Sequence, residues 1–440
     1  MSLDICLKAV RLAEKFGAMQ AECFFYSEDS TRAAIRKKEL KRFEKRNDSG
    51  IAIRVVLNKS LGFYYTTNLN NIEDAVERAI KLAKAAIPDP NFISFPSKKP
   101  YRKVEGIYDK SFENLNEESV SNIIKDALMR DFDSRIKSIN ADLEIAVYEE
   151  SIANSLGVEG DEISTFASFS VEMAAAEGDK YSGSSDFTSS RVFKELNIKE
   201  AMDNAHNLTL KGLDKKRVPS GSYPVIIDPV ASLYLICITL NSALNADLVQ
   251  RKRSFLSESL NQKIANDNIT VIDDGTFSGG LGSSSFDGEG SPSQRNVLIE
   301  KGILKGFMYD SYTAAKEGKE STGNAVRNSF RSLPTISSRN LIFELGNRKS
   351  EDIISQIKTG IYLRSTYDTP NVITGEFSGM INEGFYVEDG KIKHSLLQAG
   401  IGVSLRTLLS NIKELSSDYR WIFNYKLPFI LVENVSIAGQ

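Results

Sequence analysis

The sequence predicts an α+β chain of several domains, in which α/β units at the N-terminus lead into a larger C-terminal domain rich in antiparallel strands. Three observations predict it. At 440 residues the chain exceeds the roughly 100–200 residues of one ordinary domain. Up to Pro219, helical apolar stripes separate strand-like runs. Beyond it, short apolar runs meet across the glycine-bearing pairs Lys301-Gly302 and Asp389-Gly390, which suit tight hairpins.

Residues 1–16 read as an amphipathic helix (Ile5, Leu7, Val10, Leu12, Phe16), and residues 21–27 as a short apolar strand. The charged run 37–46 suits either a solvated helix or a twisted edge strand. Alternation over 50–57 and 60–67 about Asn58-Lys59 predicts a hairpin. Residues 71–87 repeat Ile72, Ala75, Val76, Ala79, Ile80 and Ala83 at helical spacing until Pro88-Asp89-Pro90 stops them. Residues 92–102, with Pro96 and Pro100, read as a linker.

A second unit follows, with a helix near 117–138, strands at 142–149 and 162–175, a Gly/Ser-rich loop at 178–185 and a helix at 197–211. Pro219-Ser220-Gly221 marks the next boundary, so the expected domains are 1–95, 96–218 and 219–440. Residues 223–227 read as a buried strand. Asp228 and Pro229 stand where an N-cap and a first-turn proline belong, opening a helix to about Asp247. Hairpins at 296–300 with 303–308, and at 384–388 with 391–397, complete the reading.

The 55 basic and 58 acidic side chains leave a net charge of −3, which argues against binding nucleic acid or anionic membrane by bulk electrostatics. The basic clusters Arg36-Lys37-Lys38, Lys98-Lys99 and Arg251-Lys252-Arg253 read as solvated faces. The longest apolar run, 232–240, is far shorter than the roughly 18–20 residues that span a bilayer. Asp4, Lys8, Arg11 and Glu14 interrupt the opening helix, so it lacks the apolar core of a signal peptide. Three widely spaced cysteines suggest a reducing compartment. The expected location is the cytoplasm.

Histidines are scarce: His206 and His394 are the only two. With Cys6, Cys23 and Cys237 they form no local zinc motif. Each histidine reads as isolated, and Cys237, within Leu235-Ile236-Cys237-Ile238, as inert core. No Gly-x-Ser-x-Gly occurs. The most unusual segment, 273–290, is rich in Gly and Ser and carries four carboxylates. It lacks the lysine of a phosphate loop and the acidic spacing of a calcium loop. On chemistry alone it reads as a solvated connector, although its length is more typical of a functional loop.

Several stretches resemble the TldD/PmbA family, two-component metalloproteases once called modulators of DNA gyrase, and in particular its PmbA/TldE branch. They are Gly-Gly-Leu-Gly-Ser-Ser-Ser-Phe-Asp-Gly-Glu-Gly at 279–290, the hairpin at 299–308, Tyr309-Asp310-Ser311-Tyr312-Thr313-Ala314 and Ser321-Thr322-Gly323-Asn324. Weaker echoes are Gly50-Ile51-Ala52-Ile53-Arg54-Val55, Thr374-Gly375-Glu376-Phe377-Ser378-Gly379 and residues 384–390.

The resemblance implies a catalytic partner, TldD, that carries His-Glu-x-x-x-His with zinc on the helix after an Asp-Pro-like turn. Counted from Asp228-Pro229, those positions here hold Cys237, Ile238 and Ser242, so this chain is expected to bind no metal itself. The same resemblance implies a TldD-like catalytic subunit as partner, zinc on that subunit, and peptides or unfolded proteins as substrate, read by strand addition at a sheet edge. It makes Gly280, Gly282, Ser283, Asp287, Gly288, Glu289, Gly290, Asp310, Thr322 and Asn324 candidates for lining the cavity or the subunit interface. A homodimer is also open. The rival readings are an autonomous metallopeptidase with unusual ligands such as Cys237, and a regulatory binding protein without proteolysis.

Overall fold

The computed structural model describes residues 2–439. Six antiparallel strands form one long sheet in the order β3-β2-β1-β4-β5-β6. They are β1 (Gln20–Arg36), β2 (Glu39–Leu57), β3 (Ser60–Thr66), β4 (Ile136–Asn154), β5 (Glu159–Glu177) and β6 (Lys180–Ser190). The β1–β4 pairing, with Cys23 opposite Ala153, runs this sheet through both of the first two expected units.

Strand alternation gives the sheet two different faces. Cys23, Phe25, Ile51, Ile53 and Val55 meet the apolar stripes of α1 (Ser2–Lys15) and α2 (Ile72–Ala85). Farther along the same face, Leu143, Phe169, Val171 and Met173 meet α3 (Glu117–Leu128) and α4 (Ile198–Lys211). Four helices therefore cover one face. The intervening residues, among them Phe24, Tyr26, Arg54, Tyr148 and Glu162, point the other way, toward the C-terminal region.

That region is built on a 13-stranded mixed sheet. Strand Gly221–Ile227 lies between Thr359–Ser365, parallel to it, and Tyr425–Ala438, antiparallel. Asp228 caps the following helix by accepting from the Val230 N–H at 2.8 Å. The helix runs through Pro229–Ser232, a π-turn at Leu233–Cys237 and Ile238–Ala243, and Leu235, Ile236, Cys237 and Leu240 are fully buried. Among the described residues no helix is long and apolar enough to cross a membrane.

Of the two readings of the charged run, the edge strand forms: Lys37 and Lys38, both at positive φ, turn the chain from β1 into β2, and residues 39–46 of β2 pair with β1 alone, because β3 reaches only residues 51–57. Three expectations need correction. Helix α3 stops at Leu128 and β4 has begun by Ile136, where Ile136, Ile139 and Leu143 reach the core. The Gly/Ser-rich stretch 178–185 is a turn followed by most of β6. Its small residues suit an edge strand whose order comes from pairing with β5. The helix opened by Asp228 breaks at Leu244 and Asn245, where Asn245 caps a separate turn, Ala246–Gln250. The Asn58-Lys59 hairpin forms as expected, with both residues at positive φ.

Candidate functional site

Residues 273–290 leave strand Val271–Asp274 and cross the open face of the long sheet. Turn hydrogen bonds such as Asp287 N–H to the Ser291 carbonyl and Gly288 N–H to the Ala325 carbonyl hold the backbone there, and side chains reinforce them. Arg191, just beyond β6, donates to the carbonyls of Leu281 at 2.5 Å and Thr165 at 3.1 Å. Arg339 Nε donates to the Gly282 carbonyl at 2.9 Å. The Asp287 carboxylate accepts from the N–H groups of Glu289 and Ser291, both at 2.9 Å, and of Ala325 at 3.1 Å.

Close approach demands glycine here: a Cβ on Gly282 would stand 1.9 Å from the Arg339 carbonyl oxygen. Two aromatic side chains of the C-terminal region fill matching gaps in the sheet. Phe286 lies over Gly160 of β5, and Phe330 over Gly50 of β2. The solvated-connector reading is therefore overturned: Ser283 and Asp287 are each 1 % exposed and Glu289 is 2 % exposed. Arginines and the loop's own carboxylate supply the donors and acceptors that water would otherwise provide.

Between loop and sheet lies a cavity of about 450 Å³. Tyr26, Tyr148, Glu150 and Glu162 form its sheet wall, while Gly282, Ser283, Asp287 and Gly288 line the loop side with Arg327 and Arg339 nearby. Burial, reinforced by Glu289, pushes the Asp287 carboxyl up to about 7. Burial brings the Arg191 guanidinium down to about 10. A second cavity, of about 430 Å³, touches Glu289 and Asp310 from the other side.

A buried charge network fastens the loop to the sheet. Glu22 and Arg54, directly opposed on β1 and β2, bond at 2.8 Å through Arg54 Nε. Arg54 Nη1 continues to Glu289 at 3.1 Å, and Arg327 bonds both Glu22 and the Gly288 carbonyl. Glu289 also accepts from the Ser311 N–H at 2.9 Å. A separate cluster ties β6 to the C-terminal sheet, with Arg364 bridging Asp228 at 2.8 Å and Asp186 at 3.0 Å.

Of the predicted residues, Gly282, Ser283, Asp287 and Gly288 share the larger cavity, and Glu289 and Asp310 share the second. Gly280 and Gly290 are buried, Gly290 accepting from the Tyr101 hydroxyl at 2.8 Å. Thr322 and Asn324 brace the loop's root: Thr322 donates to Asn324 at 2.6 Å, and Asn324 to Asp273 at 2.7 Å. Sequence reasoning missed Glu22, Arg54, Glu150, Glu162, Arg191, Arg327 and Arg339. For Glu22 and Arg54 a signal was present, since each interrupts an otherwise apolar strand.

The three motif positions do not fit zinc. Cys237 is fully buried, and burial pushes its thiol well above the ordinary range. Ile238 offers no donor, and the Ser242 hydroxyl is spent on the Ile238 carbonyl at 3.1 Å. No group of three or more His, Cys, Asp or Glu side chains among the described residues could hold a metal ion.

A helix-backed antiparallel sheet closing a polar cavity against a second, mixed-sheet region defines a class of multi-domain α+β protein with an internal ligand-sized site. Models of PmbA/TldA metallopeptidase domain 1, central domain and C-terminal domain match residues 21–83, 110–213 and 220–439. The chain belongs to that family, the TldD/PmbA family its motifs suggested. It is 26% identical to the metalloprotease PmbA homologue of Haemophilus influenzae, covering 98% of this chain and 95% of that one. It is also 26% identical to the zinc metalloprotease TldD homologue of Saccharolobus solfataricus, over 94% and 92% of the two chains. The crystal structure of TldE from Thermococcus kodakarensis superposes with a TM-score of 0.91 at 25% identity, covering 98% of this chain and 99% of that one.

Proposed function

We propose that this chain is the metal-free subunit of a two-subunit metallopeptidase, whose zinc and activated water belong to a TldD-like partner. One observation carries the reading. The helix that would present the zinc ligands is intact and well packed, yet it offers Cys237, Ile238 and Ser242. An isoleucine cannot take the proton that a catalytic glutamate takes from water. The chain contributes shape instead. Its loop and sheet enclose a cavity, and Gly282, Ser283, Asp287 and Gly288 would present a peptide with a rigid, backbone-rich wall. Glu289, Asp310, Thr322 and Asn324 would hold that wall in place or face the partner.

Substrates on this reading are short peptides or unfolded proteins in the cytoplasm. Three free, buried cysteines suit a reducing compartment. The test uses the purified chain with an unstructured peptide, alone and with a TldD homologue. Cleavage only in the mixture supports the proposal. Metal-dependent cleavage by this chain alone would establish the autonomous peptidase, and stable association without turnover would leave a regulatory binding protein.

A further inference from the structure

The sheet wall of the larger cavity carries an arrangement that folding alone does not favour. Tyr26 of β1 pairs with Glu150 of β4, which in turn stands directly opposite Glu162 of β5. Like charges opposed across an antiparallel pair destabilise a sheet. Glu162 is partly satisfied, its Oε2 accepting from the Ser285 N–H at 2.9 Å and hydroxyl at 2.7 Å. Glu150 has no hydrogen bond or close ion pair among the described residues, and the Arg339, Arg191 and Arg327 guanidiniums act on it only through space.

A second, independent observation lies across the cavity. Ser338 is 3 % exposed and lines the same space, and its hydroxyl has no well-aligned hydrogen-bond partner among the described residues, although the Tyr425 phenol lies within reach of it. A buried hydroxyl left unpaired in a polar cavity wants a ligand. Arg339 uses Nε on the loop, and its terminal nitrogens carry no hydrogen bond among the described residues. The Tyr26 and Tyr148 rings, 6.0 Å apart, flank the carboxylates with faces that attract cations. Two carboxylates thus share one wall, and on the other stand a hydroxyl and a guanidinium that acts on Glu150 through space without a hydrogen bond to it.

We propose that this cavity binds the free amino terminus of a short peptide, its ammonium seated between Glu150 and Glu162 and its carbonyl or carboxylate oxygens facing Arg339 and Ser338. The assignment rests on the peptide-handling part of the proposed function and adds what this subunit itself recognises. A simple alkylamine would satisfy only the glutamates, whereas a peptide end satisfies both walls. At about 450 Å³ the cavity is within the usual range for small-molecule sites.

Titration calorimetry of the full chain with tetra-alanine, N-acetyl-tetra-alanine and butylamine tests it. The free peptide should bind at least tenfold more tightly than either of the other two, and Glu150→Gln should weaken its binding about tenfold. Equal binding of the acetylated peptide, binding of butylamine as tight as that of the peptide, or no binding of tetra-alanine would each overturn the proposal. Glu150→Gln should leave the melting temperature of the free chain unchanged or raise it, because it removes a like-charge opposition; a fall of several degrees would make Glu150 structural and also overturn it. Acetylation tests the same contact without touching the protein. Partner-dependent cleavage without tetra-alanine binding would sink this inference alone. Binding without partner-dependent cleavage would sink the two-subunit reading alone.

Discussion

Replacing Arg54 by methionine should destabilise the protein by about 3 kcal/mol. The magnitude follows from the network's geometry. Glu22, Arg54, Glu289 and Arg327 are 1, 6, 2 and 7 % exposed, and their four charges cancel. Breaking a buried pair by removing one partner costs about 3–5 kcal/mol, because a charge is left without compensation. Here the lower end applies. Glu22 would keep Arg327, Glu289 would keep the Ser311 N–H, and the methionine would still pack near Phe95, over whose ring the guanidinium sits at 4.7 Å.

The double variant Arg54→Met/Glu289→Gln restores neutrality and should recover about 2 kcal/mol of that loss, a coupling within the range seen for contacting residues. Urea unfolding followed by circular dichroism reads both values from the shift in midpoint at unchanged slope. A single variant within about 1 kcal/mol of the parent would show that the network does not fasten the loop. A double variant no more stable than Arg54→Met alone would say the same.

Two further outcomes follow from the site. Gly282→Ala should cost about 1–3 kcal/mol and loosen the loop, since the Arg339 carbonyl 1.9 Å from the new Cβ is backbone and cannot swing aside; an unchanged melting temperature would refute the close approach. Burial pushes the Glu383 carboxyl up to about 7, with Ser184 donating to it at 2.9 Å. Its folded value is raised above the ordinary carboxylate range near about 4.3, so its contribution is full below that range and is lost as pH rises through about 7. Glu383→Gln should therefore match the parent near pH 4 and exceed it at pH 8 by up to about 3 kcal/mol; parallel stability–pH curves would contradict this.

Local elements were legible wherever the signal was local. The α2 stripe from Ile72 to Ala83, the Asn58-Lys59 turn and the Asp228-Pro229 cap all form where spacing and capping chemistry put them. What stayed hidden depends on pairing between distant strands. Residues 180–190 have a loop's composition and become a strand because β5 offers a ladder. The segment 273–290 is polar in composition but buried in fact, because Arg191, Arg339 and Arg54 arrive from elsewhere in the chain to satisfy it. Glu150 and Glu162 look like ordinary surface glutamates until the β4–β5 register sets them face to face. Motif reading singled out this loop and four residues that line the cavity beside it, whereas the opposing wall required the fold.

Zinc content of a complex co-purified with a TldD homologue tests the central claim most directly. Cys237→Ala in this chain should leave zinc per complex and peptide cleavage unchanged, while replacing the first histidine of the partner's His-Glu-x-x-x-His should remove both. Loss of zinc on Cys237→Ala, or zinc retained after the partner's substitution, would place the metal in this chain and contradict the account.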